Sequence, residues 1–431
     1  MAASDGSNER EWSELPGDIL AAIYRSCSSA HDRLRFSAVC AAWHAAVSWQ
    51  PPLPALPLLL MLPWPTAGGR EAVWPYSPED GRAMRVPLPS AVTPGTRLVG
   101  SHDGGWIAAT STSDDHQQQL MIVNLFSGVE VALSAKQRAV QCACPRARLR
   151  FGRNFKPVTA RPAIKKIVFS GDPSSSDCIL AATTGICNLA LCRVGSVDDG
   201  WTTEGCGTGR YYMGRCRELV DISFCNGELN GLSGNNRLFL YGISRGEQLL
   251  MFEVAMNEGA PPVIATTHVI SDLKAGIPCV PRARCHAQHI FELRGKIAIA
   301  VEWTNVRGEA SYVVYELAEG DDATLCKYRL VEVTSLEEHT LFLSPGWSKA
   351  VHVSAAGARG GVYKNCIYYP KRHLSPFEGE RYMKRLDLGS CVVYSWNNEY
   401  VHHLGRIMSR AYHYRCKDRG NGFIWLLPPD F

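Results

Sequence analysis

Residues 97–133 read RLVGSHDGGWIAATSTSDDHQQQLMIVNLFSGVEVAL. Two apolar runs, Arg97–Gly100 and Gly105–Ala109, flank Asp103-Gly104, a dipeptide suited to the positive φ angles of a tight hairpin. Two more, Leu120–Leu125 and Val129–Leu133, flank Phe126-Ser127-Gly128. The same texture of short β-prone runs between Gly, Asp, Asn and Ser turns continues to the C-terminus. It predicts strands at Ile164–Phe169, Cys178–Ala182, Cys187–Cys192, Val220–Phe224, Leu238–Tyr241 and Leu249–Val254. Further strands are expected at Ala287–Leu293, Ile297–Trp303, Tyr312–Leu317, Leu330–Val333, Thr340–Leu343 and Ala350–Val353. The last are Cys366–Tyr369, Lys384–Leu388, Val392–Trp396 and Phe423–Leu427.

About twenty short strands cannot lie in one flat sheet, whereas radial four-stranded blades closed into a ring leave few exposed edges. An all-β propeller follows, and dividing the strand count by four gives about six or seven blades. Leu58–Leu62 and Phe423–Leu427 both stop at prolines, in LPWP and LLPP, and are the expected partners in closing the ring.

Upstream the periodicity changes. Trp12–Val47, WSELPGDILAAIYRSCSSAHDRLRFSAVCAAWHAAV, reads as three short amphipathic helices. Leu15, Ile19 and Ile23 recur every fourth residue with Leu20 beside them, and Pro16 suits a first helical turn. Ser29 precedes Asp32 in a capping-box arrangement, and Leu34, Val39 and Trp43 carry the apolar stripe onward. So short a stretch cannot bury all these faces by itself, which leaves apolar surface for a partner or for the rest of the chain.

The stretch resembles the F-box: Leu15-Pro16, Ile19, Leu20, Ile23, Leu34, then Val39-Cys40 and Trp43 at the family's separation. The resemblance implies docking on a Skp-family adaptor, and through it on a cullin scaffold, by Leu15, Pro16, Ile19, Leu20, Ile23, Leu34, Val39, Cys40 and Trp43. A helical cap on the downstream domain is the plain alternative. The region after residue 50 is similar to the plant β-propeller family that commonly follows an F-box and was long catalogued as a domain of unknown function. Asn124–Gly128, Ile164–Ser170, Leu189–Arg193, Asp221–Phe224, Tyr312–Leu317, Val331–Leu336, His339–Leu343, Asn365–Tyr369 and Trp425–Pro429 carry that likeness. The expected organisation is an all-α F-box at residues 10–48 and a propeller at residues 53–431, with a basic, insert-like segment at 136–166.

Composition sets limits. The 431 residues are 46% hydrophobic and 20% charged, ordinary for a globular protein, and a net charge of +4 is too small for a whole-molecule nucleic-acid binder. Sixteen scattered cysteines, with no leader-like start and no N-x-S/T sequon, point to reduced thiols in the nucleus and/or cytoplasm. The most apolar run, Leu53–Pro65, contains four prolines and is too short to cross a bilayer, so no membrane segment is expected. Ten Lys or Arg and no Asp or Glu lie between Val131 and Gly171. Such a block suits an import signal, an acidic partner or a phosphate surface, or simply a solvated loop between blades.

No catalytic constellation emerges. Gly242-Ile243-Ser244-Arg245-Gly246 matches a nucleophile elbow, but the run that follows, Glu247–Val254, is strand-like rather than helical. Cys279, Cys285, His286 and His289 cluster without a C-x-x-C pair, so no metal site is expected, and Cys142 and Cys144 lack a second pair. Gly205, Gly207 and Gly209 lack the flanks of a phosphate cradle, and His402-His403 stands alone. The reading is a non-catalytic, cofactor-free substrate-recognition subunit of a Skp–cullin–F-box ubiquitin ligase, its propeller holding an unidentified target protein. A scaffold or ligand-binding propeller without a ubiquitin role is the alternative.

Overall fold

The computed structural model describes residues 12–27, 30–48, 55–61, 72–73, 75–83, 86–87, 89, 92, 96–112, 118–140, 163–184, 189–196, 200–204, 218–234, 248–256, 260–272, 284–304, 310–319, 328–353, 362–372, 384–388, 391–395, 407–416 and 423–429. A 3-10 turn (Trp12–Glu14) leads into α1 (Gly17–Ser26), α2 (Ala30–Ser37) and α3 (Ala41–Ser48). Pro16 caps α1 from outside, its carbonyl accepting the Leu20 N–H at 3.0 Å, one position earlier than the first-turn place expected for it. Ser29 lies outside the described residues.

The β region opens with β1 (Leu58–Met61), β2 (Ala72–Val73), β3 (Tyr76–Ser77), β4 (Arg82–Ala83) and β5 (Val86–Pro87). A three-stranded blade follows, β6 (Arg97–His102), β7 (Trp106–Thr112) and β8 (Gln118–Asn124). Three four-stranded blades come next. They are β9 (Ile164–Phe169) to β10 (Ile179–Thr184), β11 (Leu189–Arg193) and β12 (Thr202–Glu204); β13 (Glu218–Cys225) to β14 (Glu228–Gly234), β15 (Gln248–Ala255) and β16 (Val263–Asp272); and β17 (Arg284–Leu293) to β18 (Lys296–Thr304), β19 (Ala310–Glu319) and β20 (Tyr328–Glu332). The last sheet holds β21 (His339–Ser344), β22 (Trp347–His352), β23 (Cys366–Arg372), β24 (Lys384–Leu388), β25 (Cys391–Ser395) and β26 (Met408–Cys416). Finally β27 (Phe423–Leu426) pairs with β1 in the sheet β27-β1-β3-β4. The fold is a six-bladed β-propeller preceded by three short helices.

The ring closes where the prolines suggested. Leu58, Leu59, Leu60 and Met61 pair antiparallel with Leu426, Trp425, Ile424 and Phe423. Trp425 is fully buried, its indole N–H donates to the Leu343 carbonyl at 3.0 Å, and its ring meets Phe342 edge-on at 5.0 Å. The Ser101 hydroxyl donates to the Trp425 carbonyl at 2.6 Å, so the closing strand is tied to the next blade as well.

The core is a series of apolar layers between neighbouring blades. One such layer, Ala181, Leu189 and Leu191 against Leu219, Ile222, Leu229 and Phe252, fills the space between the third and fourth blades. Because each sheet is covered on both faces, middle strands such as β10 (ILAATT) and β11 (LALCR) are largely apolar and buried. Small side chains take the tightest places: Ala108, Ala109, Ala181, Ala182, Ala190, Ala298 and Ala300 are wholly buried. Gly100 is needed for the same reason, since a Cβ there would stand 2.3 Å from the Ile167 carbonyl oxygen of the adjacent blade.

The expected strands that fall on described residues mostly stand within a residue or two of their places, with three departures. Val129–Leu133 is not a strand: apart from one bridge, Glu130 to Val123, it runs irregularly beside β8. The strands β2 to β5, β12, β14, β16 and β26 are not among those expected, β14 because glycines and polar residues dilute its alternation, ELNGLSG. The last sheet is not a four-stranded meander. β21 uses one edge for its hairpin with β22, and its other edge takes β23 in parallel, which in turn pairs parallel with β26. Leu238–Tyr241 lies outside the described residues.

The helical module meets the propeller through a buried ion pair. Arg33 of α2 lies 3.1 Å from Glu79 in the β3–β4 turn and also donates to the Cys27 carbonyl at 3.1 Å.

Trp425→Ala should lower unfolding free energy by about 3–5 kcal/mol, because it opens a cavity at the closure and frees the Leu343 carbonyl. Val129→Ala, at a 52% exposed site, should stay within about 0.5 kcal/mol of the parent. Urea denaturation followed by tryptophan fluorescence measures both.

Candidate functional site

Two surfaces stand out. The first is the outward side of the helical module. Leu20, Tyr24, Phe36 and Ala46 make its small core, and Leu15, Ile23, Cys27, Trp43 and Val47 pack against it. Of the residues expected to dock an adaptor, Leu20 is therefore committed to the core, and Leu15, Ile23 and Trp43 are largely so. Ile19 and Val39 are different: they remain 44% and 56% exposed, Pro16 is exposed and Cys40 half-buried. Trp12 joins them at 71% exposure, its carbonyl held by the Trp43 indole N–H at 3.1 Å. Leu34 sits in α2, with its side chain outside those described. Helical spacing could not separate these roles, because Ile19 and Leu20 both belong to the apolar stripe and only the packing of α1 on α3 decides which turns inward.

The second is the central channel, and it was not anticipated. Its wall is built from the innermost strands, and four consecutive blades share one irregularity there. Each inner strand carries one extra residue against its neighbour: Val99 in β6, Lys165 in β9, Val220 in β13 and His286 in β17. Such bulges bend a strand and re-aim the residues that follow. Lys166 and Asp221 come directly after two of them.

Lys166 Nζ lies 2.6 Å from Asp221 Oδ1, joining the third and fourth blades. The Asp221 carboxylate also accepts the N–H of Ile222 at 3.0 Å and, through its other oxygen, that of Ile290 at 2.9 Å. His289, one of the residues weighed as a metal ligand, is buried with Nδ1 3.1 Å from Ser348 Oγ, bridging the fifth and sixth blades. Burial pushes its pKa down to about 4, against an opposing pull from Asp221. Further out, the Asn226 N–H donates to Glu292 at 2.9 Å, Arg294 pairs with Glu316 and Glu337 at 3.0 Å each, and Lys349 pairs with Asp103. Asn226 and Arg294 hold φ of 52° and 53° in two-residue hairpin turns, each followed by a glycine with positive φ. These turns rim a cavity of about 690 Å³ at the channel mouth.

Among the described residues no group of three or more His, Cys, Asp or Glu side chains is placed to hold a metal. Gly242–Gly246, Cys142, Cys144, Cys279, Gly205, Gly207, Gly209 and His402-His403 lie outside the described residues, as do most of the basic segment 136–166 and the side chains of Cys285 and His286. Among the described side chains Cys27, Cys40, Cys178, Cys192, Cys225 and Cys366 are not in disulfides, and burial pushes the Cys225 thiol up to about 12. No described helix is long and apolar enough to cross a membrane.

The family model for the KIB1-4 β-propeller matches residues 75–395, from the β3 hairpin to β25. The chain belongs to the KIB1-4 β-propeller family. No curated protein matches it. Solved structures similar to it include TolB from Acinetobacter baumannii, at 9% identity and a TM-score of 0.34 over 85% of this chain and 67% of that one. A putative 6-phosphogluconolactonase from Bacteroides uniformis shares 11% identity, with a TM-score of 0.30 over 87% of this chain and 98% of that one. AofleA from Arthrobotrys oligospora shares 12%, with a TM-score of 0.29 over 69% and 72%.

The buried imidazole makes the channel wall sensitive to acid. Its folded pKa lies below the ordinary 6.5, so the unfolded chain binds the extra proton and stability falls as pH drops from 6.5 toward 4. His102 and His339, also lowered by burial, act in the same sense. Denaturant midpoints at pH 7.5 and pH 5 should differ in the parent, and His289→Gln should flatten that difference.

Proposed function

We propose that this chain is the substrate-recognition subunit of a Skp–cullin–F-box type ubiquitin ligase. The helical module binds the Skp-family adaptor, and the propeller holds a target protein. The observation that carries this reading is the exposed apolar set Trp12, Ile19 and Val39 on a module whose own core is already filled. Three large apolar side chains on so small a unit are more than its fold needs, and apolar surface of this kind marks a protein interface. Ile19 and Val39 belong to the pattern that resembles an F-box.

The mechanism is one of proximity. Lysines of a bound target are held near a charged ubiquitin-conjugating enzyme, which raises their effective concentration without any catalytic group in this chain. The ion pair from Arg33 to Glu79, with both side chains under 10% exposed, supports this role because it fixes the adaptor-binding helices to the propeller. The free thiols fit the nucleus and/or cytoplasm, where such ligases act.

The full chain should co-purify with a Skp-family adaptor in a one-to-one complex. Ile19→Asp with Val39→Asp should abolish that complex while thermal unfolding shifts by no more than about 2 °C, since both sites are exposed. Retention of the adaptor by the double variant, measured by size-exclusion chromatography, would sink the assignment.

A further inference from the structure

The channel mouth is a cavity lined by three cationic side chains, Lys166, Arg294 and Lys349, and two carboxylates, Asp103 and Glu292. Lys166 lines it, yet its side chain is only 7% exposed, and an ammonium carries three protons. Asp221 is the acceptor for one of them. That carboxylate is itself occupied, by Lys166 and by the backbone N–H groups of Ile222 and Ile290. Among the described residues the hydrogen bond and the ion pair given for Lys166 Nζ are both to Asp221. A buried ammonium with protons to spare is costly unless the space before it supplies acceptors.

The other charges around the cavity point the same way. Of the two lining carboxylates, Asp103 is paired with Lys349, and Glu292 accepts the Asn226 N–H through one oxygen. Lys349, at the rim and 38% exposed along its side chain, keeps further donors for an incoming group. His102 lines the same wall, its ring tilted against that of Phe169 with centroids 5.6 Å apart. The volume, about 690 Å³, falls within the range of small-molecule sites and is too small for a folded segment of a partner.

We infer that the channel mouth binds a small anionic ligand, a phosphate- or carboxylate-bearing metabolite, with Lys166 as its buried anchor and Lys349 at its entrance. The inference stands apart from the adaptor reading, because it uses no residue of the helical module and its test needs no ligase component. A ligand seated there would bridge inner strands of several blades, and so stabilise the ring by mass action.

The test uses the full chain at fixed ionic strength, titrated separately with inorganic phosphate, citrate and glucose 6-phosphate, with glucose as the neutral control. Isothermal calorimetry and thermal unfolding read the binding. At least one anion should bind and raise the melting temperature while glucose does neither, and the stronger of phosphate or citrate identifies the charged group. Lys166→Met with Asp221→Asn removes both charges together, and the asparagine oxygen still accepts the Ile290 N–H. This variant should lose anion affinity by at least about tenfold, the loss of one charge-assisted contact. Should it fail to fold, Lys349→Ala at the part-exposed rim carries the test, with an expected severalfold loss. No response in the parent, or an equal response in parent and folded variant, overturns the inference; the latter would place the anion elsewhere, as on the other cations of the basic run, Lys136 to Arg161.

Discussion

The pairing of β1 with β27 is the constraint on which the molecule depends. Every blade is a small sheet that cannot stand alone, and its apolar faces are covered only by the sheets on either side. An open row would leave two such faces bare and one blade short of its inner strand. Four residue pairs between the two ends of the β region, Leu58 to Leu426 through Met61 to Phe423, turn the row into a ring. Trp425 explains why those pairs hold. It is wholly buried, and its indole reaches the Leu343 carbonyl of the preceding blade while its own carbonyl accepts from Ser101 of the following one. One residue thus joins three blades.

Closure also creates the channel, and with it a problem of polar groups. Inner strands converge on an axis where there is little room for side chains and no second sheet to pack on. The chain meets this with bulges. An extra residue in β6, β9, β13 and β17 turns the following residues toward the axis, and two of these, Lys166 and Asp221, neutralise each other across neighbouring blades. A buried ion pair contributes little net stability once desolvation is counted. Its value lies in position, since it leaves an ammonium with unused protons facing a cavity.

The exposed face of the N-terminal helices and the channel mouth are separate in the chain and separate in chemistry, apolar in one case and charged in the other. Arg33 and Glu79 join the helical module to the first blade with almost no exposure to water, a link that salt screens far less than a surface pair. A receptor that must present a target at a fixed distance from a partner needs such a link.

The sequence by itself determined the architecture: Asp103-Gly104 marks a hairpin, and short apolar runs between turn residues mark strands, because both signals are local. Proline stops on either side of a long apolar chain located the closure for the same reason. What only the tertiary structure decided depends on which surfaces meet. It settled six blades, because β21 and β23 share one sheet through a parallel pairing that no local pattern encodes. It separated Ile19 from Leu20, neighbours in one apolar stripe, by placing α3 against only one of them. It also brought Lys166, Asp221 and His289 onto the channel from three different blades. In the sequence Lys166 is one more cation in a basic run, and Asp221 an acid between two apolar residues. Their meeting rests on bulges and ring closure, which are properties of strands in register and not of the residues alone.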